Sequence, residues 1–123
     1  MRIDLEGGRI NLGARRRRHA RGPWLQLLTQ MLNLAGGDVE IVRHSERPWS
    51  SITFSGSRHT AVLAFTGSCA MEAGDDFIAA LPDHEFAITR QIVADATIIA
   101  VDQETIPEPK MTVEAELLLL EDA

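Results

Sequence analysis

Four groups of residues in this chain carry side chains able to do chemistry. The densest runs through residues 15–21, where Arg15, Arg16, Arg17, Arg18 and Arg21 surround His19. Closely spaced guanidiniums repel one another and accept phosphate readily, with salt-dependent binding as the signature. Proteins that grip nucleic acid commonly add aromatic rings that stack on bases. Here aromatic residues are 5% of the chain and Tyr is absent. The stretch reads equally as a solvated loop or as one docked on acidic residues elsewhere.

The second group is Cys69, in the run Thr-Gly-Ser-Cys ahead of a helical pattern. Free N–H groups at a helix start favour a thiolate. A nucleophile also needs a base held within reach, and nothing in the spacing assigns His44, His59 or His84 to that task. A lone cysteine also excludes an internal disulfide. The third group is His44, Glu46, His59, Asp83, His84 and Glu85. Compact metal motifs place two ligands within one turn or strand segment, and that spacing is absent. The sequence therefore predicts no metal, no cofactor and no catalytic residue, with His59 as a partly buried hydrogen-bonding side chain.

The fourth group is apolar. The segment WLQLLTQMLNLA holds twelve residues without a charge, and the final segment adds Leu118 and Leu120 off its alternation. Contiguous apolar surface on a small protein marks a partner or ligand site. Trp24, Leu28, Met31, Leu118 and Leu120 are the interface candidates, and a two-fold homodimer is the commonest way to cover such surface.

These groups must be positioned by a chain of 123 residues, one domain's length, with 45% hydrophobic and 24% charged residues. The net charge of −6 is uneven: residues 1–60 hold ten Arg against five acids, and residues 61–123 hold thirteen acids against Arg90 and Lys110. Such a split suits a polyanion contact, or self-association of opposite ends. The bias towards Arg and Ala fits GC-rich bacterial codons. No apolar run spans a membrane. The opening MRIDLEG lacks the basic-then-apolar order of a secretion signal, so a cytoplasmic address is expected.

Residues 2–13 read as a hairpin about Gly7-Gly8, and residues 14–22 as a basic loop. Pro23 then opens a helix that Gly36-Gly37 closes, with Trp24, Leu27, Leu28, Met31 and Ala35 as its stripe. Strands follow at 38–44, 51–55 and 58–66, the last two joined by a Gly56-Ser57 turn that places Ile52, Phe54, Ala61, Leu63 and Phe65 on one face. A second helix within 68–81 presents Ala70, Ala73, Phe77 and Leu81. Strands at 84–89, 92–102 and 111–120 complete the chain. The expectation is a single α+β domain: a hairpin (1–13), a basic loop (14–22) and two helix–strand–strand–strand units (23–67 and 68–123). Both helices pack on one face of a mainly antiparallel sheet. A shift of 45 residues places Asp38 on Asp83 and Glu40 on Glu85, which suggests an internal duplication.

Three functions compete on these residues. The first is a non-enzymatic, dimeric module that binds a protein partner or a small apolar ligand. The second is a phosphate or nucleic-acid binder using the five arginines. The third is a small thiol enzyme using Cys69.

Overall fold

The computed structural model describes residues 17–36 and 38–122, with side chains from Gly22 onward. The 2–13 hairpin, Arg15 and Arg16 lie outside the described residues. The element order is α1 (Arg17–Ala35), β1 (Val39–Ser50), β2 (Ser55–Thr66), α2 (Ala70–Ala80), a short 3-10 turn (Leu81–Asp83), β3 (Gln91–Glu104) and β4 (Lys110–Glu121). The strands form one antiparallel sheet in the order β1-β2-β4-β3. The α+β class with an antiparallel sheet is as expected. Each unit contributes two strands rather than three.

The helix α1 starts earlier than Pro23, so Arg17, Arg18 and Arg21 fall in its first turns instead of a loop. It ends as expected, because Gly36 takes φ 89°, the left-handed conformation that glycine adopts at a helix C-terminus. The stripe Trp24, Leu27, Leu28, Met31 and Ala35 is wholly buried. It joins Phe77 and Leu81, Ala61, Leu63 and Phe65 from β2, and the inward residues of β4 in one core. Met111, Val113, Ala115, Leu117 and Leu119 are all at 0% exposure, the period-2 signature of a strand with one face on the core. Both helices therefore sit on the same sheet face. Each leucine so buried contributes about 1.5–3 kcal/mol relative to exposure.

Two strand expectations fail, each for a visible reason. Residues 51–54 are the β-hairpin loop: Ser51 N–H donates to the Phe54 carbonyl at 2.8 Å, and Ser51 Oγ accepts from Phe54 N–H at 3.1 Å. Ile52 and Phe54 are thus exposed, not core. Residues 84–89 lie along α1, and side chains of that helix satisfy the backbone of Ala87 and the N–H of Thr89. Gln30 Nε2 donates to the Ala87 carbonyl at 2.6 Å and Gln30 Oε1 accepts from Ala87 N–H at 2.9 Å. Gln26 Oε1 accepts from Thr89 N–H at 2.8 Å. Two glutamines of α1 thus take the place of a neighbouring strand for these groups. The duplication is not confirmed: a 45-residue shift carries the end of α1 onto the end of α2 but matches Asp38, just before β1, to Asp83 in the 3-10 turn, well short of β3.

Gly56 is no turn residue either. It lies within β2, between Trp49 of β1 and Leu120 of β4, where a Cβ would collide with the Leu119 carbonyl oxygen. Gly56→Ala must push two strands apart, and we expect it to cost about 1–3 kcal/mol in urea denaturation. An unchanged midpoint would show that β2 and β4 are not in this register.

Candidate functional site: a histidine pair roofed by tryptophan

A bulge in β1 builds the site. Val39 and Ile41 alternate normally, and Ile41 pairs with Leu63 on the core side. The register then shifts between Ile41 and Arg43, and pairing resumes as Arg43 with Val62 and His44 with Ala61. The extra residue turns the rest of the strand over. His44, Glu46 and Pro48 now face the helices, and Arg43, Ser45 and Arg47 face away. Without the bulge, three basic or polar side chains would point at α1 and the histidine would point outward.

Cross-strand pairing completes the set. Glu46 lies opposite His59 and Pro48 opposite Ser57. His44 Nε2 and His59 Nδ1 are 2.9 Å apart, and His59 Nε2 is 2.9 Å from Ser57 Oγ. The two imidazole planes differ by 10°. Trp24 stacks over His44 at 3.6 Å and 6°, and lies parallel to His59 at 5.7 Å and 7°. One indole thus roofs a nearly coplanar imidazole pair. Trp24 Nε1 is buried with no acceptor among the described residues. Beside the pair opens a cleft of about 400 Å³, whose lining includes Pro23, Glu46, Ser57, His59, Gln91 and Glu121.

Burial sets the charge states. His59 is 2% exposed, and desolvation lowers its pKa to about 4. His44 falls to about 3, through desolvation first and the nearby His59 second. Desolvation raises the Glu46 carboxyl above its ordinary value. Both histidines are therefore neutral at pH 7, with one ring nitrogen each carrying a lone pair.

The row Ser57–His59–His44 has the connectivity of a nucleophile, a base and an orienting group. Its base is too weak for that work: an imidazole with a pKa near 4 holds a proton poorly at neutral pH, and catalysis favours a base matched to the operating pH. A neutral, lone-pair-bearing imidazole is instead what a metal ion requires. The ligand atoms of His44, Glu46 and His59 all lie within 4.8 Å of one another. The expectation of no metal cluster rested on linear spacing. Long-range pairing of two strands assembled this one, and the only local signal was His-x-Glu on one strand face.

The remaining candidates fall as follows. Trp24, Leu28 and Met31 are buried in the core, so their apolar surface is used internally. Leu118 and Leu120 are half-buried on the sheet face away from the helices. Cys69 is exposed, and its thiol is 4.0 Å from Ser68 Oγ. His59 sits seven residues up β2 from Thr66, roughly 23 Å at strand spacing. His84 lies beyond the length of α2, roughly 16 Å along its axis. No histidine described here serves the cysteine. His84 instead packs edge-on against Phe86. No helix among the described residues is long and apolar enough to cross a membrane.

The chain matches no protein-family model and no curated protein. Among solved structures it is similar to a chain described as "Virion of native gene transfer agent (GTA) particle", at 16% identity and a TM-score of 0.55, covering 71% of each chain. That likeness is one of fold.

Proposed function

We propose that this protein is a structural subunit that self-associates through the sheet face opposite its helices. The carrying observation is the layout of that face. Its β1–β2 half presents Arg43, Arg47 and Arg58 with Glu40, a net basic set, and its β4–β3 half presents Glu114, Glu116, Asp95, Asp102 and Glu104 with Lys110, a net acidic set, as the register requires. One ion pair, Arg58 to Glu116 at 3.5 Å, spans the divide. At one end the cross-strand row Trp49, Gly56, Leu120, Ile92 is apolar.

A two-fold axis parallel to the strands sets β1 of one copy over β3 of the other. Basic halves then meet acidic halves, the apolar rows coincide, and Arg47 lies over Asp95. Opposite charges and a self-complementary patch are what an isologous contact needs. The similarity in fold to a chain of a virion, an assembled particle, supports the same reading. We place the dimer in the cytoplasm of a bacterium, the source that the bias towards Arg and Ala suggests.

Sedimentation velocity at tens of micromolar is expected to give twice the monomer mass. Arg47→Glu alone, or Asp95→Lys alone, should weaken the dimer about tenfold or more by juxtaposing like charges. Mixing the two variants should restore it, because each contact then pairs opposite signs. A monomer throughout defeats the proposal, and a dimer indifferent to both reversals defeats this choice of face.

A further inference from the structure

We infer that His44, His59 and Glu46 form a binding site for a divalent first-row transition-metal ion beneath the Trp24 roof, at the edge of the adjoining cleft. Four observations converge on it, and none depends on self-association.

The first is the nitrogen separation. Two nitrogens each about 2.0–2.1 Å from one ion are ~2.9 Å apart when they meet at a right angle and ~3.3 Å apart at a tetrahedral angle. His44 Nε2 and His59 Nδ1 stand 2.9 Å apart. That is the separation of neighbouring ligands in an octahedral or square geometry; with ring centroids 5.1 Å apart the two nitrogens point nearly at each other as a hydrogen-bonded pair, so both rings must swing to aim their lone pairs at one ion.

The second is the donor set. Two imidazoles and a carboxylate suit zinc, cobalt, nickel or iron, and leave coordination positions free. Glu46 pairs directly across from His59 and supplies the negative charge that a divalent ion needs for neutralisation. Burying an ion against two neutral imidazoles alone would be costly. The free positions would face the cleft, which Glu46, Ser57 and His59 line.

The third is the support behind the ligands. Metal-bound histidines usually donate their other ring N–H to an acceptor, which fixes the tautomer. In the tautomer where Ser57 Oγ accepts from His59 Nε2–H across their 2.9 Å contact, the lone pair sits on Nδ1, the atom that faces His44. Ser57 is thus a positioning residue.

The fourth is rigidity. Trp24 lies parallel to both rings, and the β1 bulge puts His44 and Glu46 on the same sheet face as His59. A site held by strands and an aromatic plate loses little freedom on binding.

The test uses tag-free protein stripped with chelator, then titrated with Co²⁺ by visible absorption and with Zn²⁺ by calorimetry. The expectation is one saturable ion per chain, with a cobalt d–d spectrum showing nitrogen ligation. Ser57→Ala should weaken binding by about 10–100-fold, and Glu46→Gln by at least as much. Glu46 is exposed, so its replacement leaves the core untouched, and circular dichroism confirms that. His44→Gln should abolish binding; should that variant not fold, loss in Glu46→Gln with an intact fold still supports the site. His84→Gln should change nothing. Absence of saturable binding, or affinity unaltered by Glu46→Gln, overturns the assignment and leaves a hydrogen-bonded imidazole pair.

Discussion

Replacing Trp24 by alanine is expected to cost about 3–5 kcal/mol of folding free energy. The indole is 5% exposed, and it covers two imidazoles besides joining the α1 stripe. Removing it opens a cavity between α1 and β1 that rigid strands cannot close, so contact and transfer terms are both lost. A domain of this size is stable by about 5–15 kcal/mol, so the variant should still fold, with a melting temperature lower by roughly 10–20 °C. Urea denaturation followed by far-ultraviolet circular dichroism measures it, and avoids the fluorescence change from losing one of two tryptophans. Trp24→Phe should recover most of the loss. It keeps an aromatic plate over the histidines and removes a buried N–H that has no acceptor among the described residues. A deficit below about 1 kcal/mol for the alanine variant would mean that the roof contributes little packing.

Acid should destabilise the metal-free protein as the pH falls below about 6.5. In the folded state His44 has a pKa of about 3 and His59 of about 4, against an unfolded value of 6.5. Above pH 6.5 both rings are neutral in both states and contribute nothing to the pH dependence. Below it the unfolded chain takes up protons that the folded chain refuses, and each histidine tilts the balance by up to about 1.4 kcal/mol per pH unit. The loss runs from pH 6.5 down through about 4 to 3, where the folded rings finally charge. Between pH 7.5 and 4.5 it should total on the order of 3–5 kcal/mol. Glu46 works in the opposite sense, because its raised pKa lets the folded state gain a proton first. It is one exposed group against a buried and a half-buried histidine, and softens the trend without reversing it. Urea midpoints across this range, in chelator, provide the measurement. The His44→Gln/His59→Gln double variant should show a distinctly flatter profile, and a profile as steep as that of the parent would assign the acid sensitivity elsewhere.

Much of the core was legible because its signals are local. The α1 stripe, the glycine after Ala35, the 2-residue alternation from Met111 to Leu119 and the Ala70–Phe77–Leu81 set each arise from residues within a few turns or one strand. Periodicity alone reports which side is apolar. The apolar excess was legible as well, but its use was not. Trp24, Leu28 and Met31 looked surplus to a small sheet and proved to be buried. The polar residues of the same helix took up a backbone segment at 84–89 that composition had marked as a strand.

The site itself was hidden. Linear spacing separates His44 from His59 by fifteen positions, and the Gly-first turn placed at Gly56-Ser57 set His59 opposite Phe54. The actual loop at residues 51–54 sets it opposite Glu46. Turn placement slides one strand along the other, and every facing pair changes with it. Glycine marked a close approach between strands here, not a reversal of direction, and the two uses look the same in one dimension.

From its amino-acid order alone, this chain determined two amphipathic helices, an antiparallel β class and a pool of histidine and carboxylate ligands. Tertiary structure decided which of those ligands meet. A single inserted position in β1 rotates everything after it by half a strand period, and only pairing with β2 makes that rotation favourable. Periodicity is a property of neighbours along the chain; convergence of His44, Glu46 and His59 is a property of register between strands.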